Sequence, residues 1–251
     1  MFEPRIALAS LSGVSDAAWA KSAIPYIGTA FIGGIALCED TQRAAEQLVA
    51  RGRDEFLPAD PLTFVEDQLT TLQPADIRPA INARCVSKLQ LKRAAAICAA
   101  HNAIYEINAH CRQEEMCAVG AGESLLTDTD RLTSHVAIAK AMGATVSVKV
   151  RAEVPGVDLR ETATAIADVG GDAIHVDMMD TKEVIREIAE TPGLFVIANN
   201  GIRDDETVYQ ALGNGADAVS VGRASDDPKT LARVASAVNS ERLQSPALND
   251  R

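Results

Sequence analysis
The sequence has no apolar run near the roughly 18 residues needed to span a bilayer, no Cys-x-x-Cys pair and few lysines. The first absence excludes a membrane-spanning helix and with it a membrane partner. The N-terminus, Met1-Phe2-Glu3-Pro4-Arg5, also lacks the basic region that leads into a signal helix. The second absence, with five scattered cysteines (Cys38, Cys85, Cys98, Cys111 and Cys117), excludes a disulfide framework and a zinc-type cluster. No metal is expected. Together these features point to a reduced, cytoplasmic setting. Only 7 of the 24 basic residues are lysine, and the net charge is −11. Two readings of that charge stand: a salt-adapted host, or a chain unsuited to a nucleic-acid ligand, which favours a basic face.

What is present is a repeat of short β-branched or apolar runs alternating with helical patterns. Strands are expected at 5–10, 29–33, 78–83, 103–108, 144–150, 172–177, 194–199 and 217–222. Between them Leu132, Val136, Ala139 and Met142 recur at helical spacing, as do Val184, Ile185 and Ile188. Residues 39–73 exceed one helix and hold two, broken near Pro58 and Pro61. Eight βα units in 251 residues predict a single (β/α)8 TIM barrel over 1–239, with a frayed polar tail at 240–251.

In that architecture chemistry sits at the C-terminal ends of the strands. The residues leaving the strands are polar: Ser10 and Leu11, Asn82, Asn108 with His110, Cys111 and Arg112, Lys149 and Arg151, His175 and Asp177, Asn199-Asn200-Gly201, and Gly222-Arg223. The strand interiors are read as apolar. The last two loops are a phosphate site or two ordinary tight turns. Lys149 lies in an otherwise apolar strand and needs a partner. An anionic flavin ring or a salt bridge to Asp177 would each serve.

In this order these residues resemble the tRNA-dihydrouridine synthases, FMN-binding barrel enzymes. Residues 8–16 (LASLSGVSD) resemble that family's opening loop. Residues 108–111 (NAHC), followed by 120–126 (GAGESLL), resemble its cysteine motif and glycine-rich stretch. Residues 147–151 (SVKVR) resemble its Val-Lys-Ile-Arg strand, and 197–202 and 215–224 its two phosphate loops. The resemblance implies FMN reduced by NADPH, a hydride passed to C6 of uridine in RNA, and a proton given to C5 by Cys111. It places Lys149 and His175 on the flavin ring with Asn82. It gives Ser10, Leu11, Asn199, Asn200, Gly201, Gly222 and Arg223 to the cofactor, and Asn108, His110, Arg112 and Arg151 to the substrate. Three departures stand out: Arg112-Gln113 for Pro-Ser after the cysteine with His110 for the preceding glycine, His175-Val176-Asp177-Met178 for the family's His-Gly-Arg-Thr after strand 6, and no stretch matching the C-terminal helical domain that grips tRNA. They liken the chain to a short, archaeal-type relative. Two other readings compete. One is an FMN reductase of a small free heterocycle or enone. The other is a flavin-free phosphate-binding isomerase or lyase using His175 and Asp177 as acid and base.

Overall fold
The computed structural model describes residues 1–244, with side chains described to residue 241. Eight parallel strands close into a barrel in sequence order: β1 (Ile6–Leu8), β2 (Thr29–Ala36), β3 (Arg78–Arg84), β4 (Ile104–Asn108), β5 (Thr145–Arg151), β6 (Ala173–Asp177), β7 (Phe195–Asn199) and β8 (Ala218–Val221). Every strand lies where the apolar runs predict it. The largest difference is β2, which runs three residues further, through a register shift between Gly33 and Ile35.

Among the described residues ten α-helices surround the sheet: α1 (Ala17–Ala23), α2 (Glu39–Ala50), α3 (Pro61–Leu72), α4 (Lys88–Ala100), α5 (Glu114–Ala118), α6 (Thr129–Ala141), α7 (Leu159–Asp168), α8 (Val184–Ala189), α9 (Asp205–Gly213) and α10 (Pro228–Gln244). Residues 39–73 do hold two helices, broken before Pro61. The tail expected from 240 is helical to Gln244, because α10 runs on past the last strand; 245–251 lie outside the described residues. No described helix is long and apolar enough to cross a membrane.

Alternation along the strands sorts the core into two parts. Outward residues such as Tyr105, Val146, Val148, Ile174 and Val219 join Leu132, Val136, Val208 and Leu231 of the helices in one continuous apolar layer. Inward residues Ala7, Phe31, Ala80, Ile104, Ile197 and Ala218, with Phe2 beneath, form a small apolar floor. Aspartates start six of the described helices. Asp16, Asp60, Asp128, Asp158, Asp204 and Asp227 each accept a backbone N–H group of the first turn.

His135 on α6 is buried in the outer layer, and its Nδ1 has no hydrogen-bond partner among the described residues. Burial, helped by the nearby Arg131 charge, pushes it down from the ordinary 6.5 to about 4. The unfolded chain therefore binds a proton here before the folded chain does. The stability this group leaves intact above pH 6.5 is lost as pH falls toward 4. His135→Leu should narrow the fall in urea midpoint between about pH 7 and about pH 5. An equal fall in variant and wild type would count against it.

Candidate active site
Above the apolar floor the barrel interior turns polar. This overturns the reading of the strand interiors as apolar. Strands β3 to β8 each send at least one polar side chain inward, and together these form one unbroken chain of hydrogen bonds. Asn108 Nδ2 donates to Asn82 Oδ1 (2.8 Å), and Asn82 Nδ2 donates to Glu106 Oε1 (2.7 Å). Glu106 Oε2 accepts from Ser147 Oγ (3.0 Å) and pairs with His175 Nδ1 (2.8 Å). His175 Nε2 lies 2.7 Å from Ser220 Oγ, which lies 2.8 Å from Asn199 Oδ1. Burial alone would raise Glu106. The charges of His175 and Lys149 and the bond from Asn82 outweigh it and hold the carboxyl below its ordinary range.

The chain's ends reach the two functional loops. Asn108 Oδ1 accepts the backbone N–H of Cys111 (3.1 Å), which fixes the start of the cysteine loop. The glycine-rich stretch closes over that loop. A Cβ on Gly122 would fall 2.2 Å from the Cys111 carbonyl oxygen, which also accepts Glu123 N–H at 2.9 Å. At the other end Asn199 leads into Asn200 and Gly201, both with positive φ (82° and 76°).

Lys149 stands in the mouth above this chain. It is 2 % exposed, yet its ammonium makes no hydrogen bond or ion pair among the described residues. Burial pushes it below the ordinary lysine value, against the opposing pull of Glu106 and Asp177. The salt bridge to Asp177 does not form. That carboxylate instead accepts from Asn200 Nδ2 (2.9 Å). The ammonium is not among the sealed unpartnered atoms, so it opens to the mouth, where an anion or a strong acceptor can meet it.

Other sequence-derived candidates sort clearly. Ser10 and Leu11 line the rim half-buried, and Arg112 and Arg223 are exposed. Arg151 is paired with Glu123 at 2.8 Å. His110 is half-buried, and burial and the charges of Lys149 and Arg84 push its imidazole well below the usual value. Asn82 is sealed beneath the rim, its amide committed to Asn108 and Glu106. Cys111 is 8 % exposed and packs with Ala44, Ala45 and Leu48 of α2 and Met116 of α5. His175 needs a correction. It is 0 % exposed, one layer below the rim, with both ring nitrogens engaged. It cannot meet a substrate as half of an acid–base pair with Asp177, which removes the isomerase or lyase reading.

Residues not anticipated from the sequence are Glu106, Ser147, Ser220, Arg84 and Glu55. Alternation in β4 puts Ile104, Glu106 and Asn108 on one face, which was the available signal. The Arg84–Glu55 pair (2.6 Å) is almost sealed and also holds Ser12 through the other guanidinium nitrogen. It ties the segment between α2 and α3 onto the mouth.

A flavin phosphate was tested against the last two loops. A Cβ added at Gly201 or Gly222 would meet nothing within 4 Å, so both backbones face open space. Beside them the buried Ser225 hydroxyl has no partner, and Arg223 is free to pair with an anion. With Lys149 across the mouth, the residues present fit FMN.

A family model described as dihydrouridine synthase matches residues 84–250, which holds β4 to β8 and both of these loops. The chain belongs to the dihydrouridine synthase family. Membership makes it a flavin-dependent oxidoreductase. An uncharacterized protein of Methanocaldococcus jannaschii is 25 % identical over 233 residues, covering 88 % of this chain and 89 % of that one. Among solved structures, a dihydroorotate dehydrogenase (DHODH) from Eimeria tenella, in complex with ferulenol, superposes with TM-score 0.67 at 14 % identity, over 98 % of this chain and 83 % of that one. FabK from Thermotoga maritima gives 0.59 at 15 % identity, over 89 % of this chain; the match spans only 59 % of FabK. At these identities the likeness is one of fold.

The buried ion pair gives a direct test of how the mouth is held. Arg84→Met should cost about 3–5 kcal/mol in chemical denaturation, because it strands the Glu55 carboxylate. The double variant Arg84→Met/Glu55→Leu should recover most of that loss. Additive losses would show that the two side chains are not coupled.

Proposed function
We propose that this dihydrouridine synthase family member binds FMN, is reduced by NADPH and saturates the C5=C6 bond of uridine in RNA. The observations that carry the cofactor are Lys149, an inward lysine of β5 with no ion pair among the described residues, and two glycine loops at the ends of β7 and β8 whose backbones face open space. When bound, FMN supplies the hydride for C6. Gly201 and Gly222 let backbone N–H groups approach its phosphate, and Arg223 pairs with that charge. Lys149 holds the electron-rich edge of the ring system. Asn108 keeps the cysteine loop in place through Cys111 N–H, and Cys111 gives the proton to C5. A thiol carries a proton that it can donate in a general-acid step. Cys111 is 8 % exposed within an apolar cluster shared with α2, so the loop must open for this step; His110, half-open beside it, has its imidazole held well below the usual value and is a poor proton donor.

A second reading keeps the flavin and the acid but takes a small heterocycle. It is favoured by the net charge of −11 and by rim arginines already neutralised, Arg84 by Glu55 and Arg151 by Glu123. A dihydrouridine map of RNA from a deletion strain separates the two: lost sites support RNA, and an unchanged map supports the small molecule.

Gly222→Ala tests the cofactor site with little disturbance of the fold, because the added Cβ enters open space. It should change stability by no more than about 0.5 kcal/mol while weakening FMN binding at least about tenfold. Unchanged affinity would remove the phosphate from this loop. Cys111→Ala should leave flavin reduction by NADPH intact and slow reoxidation by substrate roughly 10²–10⁴-fold. Equal reoxidation rates in stopped flow would assign the proton to another group.

A further inference from the structure
The chain carries five cysteines, and the reaction above uses only Cys111. Two of the others meet. β2 and β3 pair in register up to Ala36 and Arg84, and the pairing runs one step further, where Leu37 N–H donates to the Arg84 carbonyl oxygen (3.0 Å). The next residues on the two sides are Cys38 and Cys85. Neighbouring strands lie about 4.8 Å apart, inside the Cα span of about 4.4–6.8 Å that a disulfide accepts. Both side chains join the outer apolar layer, and the backbone N–H of Val86 donates to Cys38 Sγ (3.5 Å). Cys38 Sγ therefore lies against the peptide that Cys85 begins, with the two thiols in hydrogen-bond reach of each other. Both are free thiols.

The two sulfurs differ in what surrounds them. The backbone N–H groups of Val86 and of Thr41, in the first turn of α2, both aim at Cys38 Sγ. Negative charge that develops on this sulfur is met by donors that cannot turn away. Cys85 directs its S–H to the Ser87 carbonyl oxygen (3.3 Å), and the bond with Cys38 together with burial pushes its thiol up. Cys38 is 6 % exposed and Cys85 5 %. That narrow opening favours a small oxidant over a peptide-sized one. The remaining cysteines are arranged otherwise. Cys98 is fully buried on α4, and Cys117 directs its S–H to the Cys111 carbonyl oxygen (3.5 Å).

We propose that Cys38 and Cys85 are a modification site, a dithiol that hydrogen peroxide converts to a disulfide and that a dithiol reductant restores. The Cys38 sulfur attacks one peroxide oxygen. An S–O bond forms, the O–O bond breaks, and the departing hydroxide takes the Cys38 proton to become water. The Cys85 sulfur then attacks the Cys38 sulfur. The S–S bond forms, the S–O bond breaks, and the second hydroxide leaves with the Cys85 proton. The thiol pair loses two electrons, and one peroxide becomes two waters. The new bond closes residues 38–85 into a ring that holds α2, α3 and the segment in which Glu55 pairs with Arg84. None of this depends on the flavin reading.

The test uses the full chain, reduced with dithiothreitol and then freed of it. It is treated with hydrogen peroxide, denatured in iodoacetamide and digested with trypsin. Free thiols should fall by two from five, and dithiothreitol added before the alkylation should restore them. Peptide 22–43, which carries Cys38, should be joined to peptide 85–88, which carries Cys85. This map is read on the wild type, so no variant has to fold for the pairing to be decided. Cys111 joined to Cys117, scattered pairing, oxidation of Cys38 beyond sulfenic acid with no disulfide, or five thiols that survive peroxide each overturn the proposal. The order of the steps is read in two variants. Cys85→Ser should stop at a Cys38 sulfenic acid that dimedone labels, and Cys38→Ser should lose thiols at least about tenfold more slowly than the wild type. An unlabelled Cys38 in the first, or an equal rate in the second, overturns Cys38 as the attacking sulfur.

Discussion
A closed barrel leaves no water to solvate what its strands send inward, so a carboxylate placed there must find all its partners within the protein. Glu106 is that carboxylate. Its bonds to Asn82, Ser147 and His175 draw together β3, β5 and β6, and Ser220 and Asn199 extend the connection to β8 and β7. Removing Glu106 would strand at least two donors at once. The positions of Asn108 and Asn199, and therefore of the cysteine loop and the loop that carries Gly201, follow from satisfying one buried charge.

The architecture was legible because strand and helix periods are written in apolar residues, which this chain uses consistently. The eight runs and the break before Pro61 required no knowledge of contacts. The polar layer was not legible in the same way. Alternation says that Glu106 shares a face with Ile104 and Asn108, but not whether that face looks into a ring of partners or out to a helix. That depends on barrel closure and on residues more than 60 positions apart, such as His175. His175 was placed on the rim for the same reason: a strand's last polar residue and its second-to-last look alike until the register shows Asp177 above it.

Lys149 shows the opposite case. The sequence posed two partners for it, and the structure removes one by giving Asp177 to Asn200. The rim arginines divide in the same manner. Arg84 and Arg151 are held by acids of the intervening loops, whereas Arg112 and Arg223 are left to solvent or ligand. Glu55 and Glu123 lie far from these arginines in sequence, so no local pattern reveals the pairing.

The aspartates that begin helices have an effect beyond the helices they start. In a βα barrel each helix that follows a strand begins on the face where the strands end, so Asp128, Asp158 and Asp204 stand around the mouth. A helix start offsets only about half a unit charge, and the remainder projects outward over about a Debye length, near 10 Å at 0.1 M salt. A ligand approaching this face meets a repulsive collar before it meets the cations inside. For an anionic ligand, added salt should then speed the first encounter while weakening the final grip, so the two steps would respond to ionic strength with opposite sign.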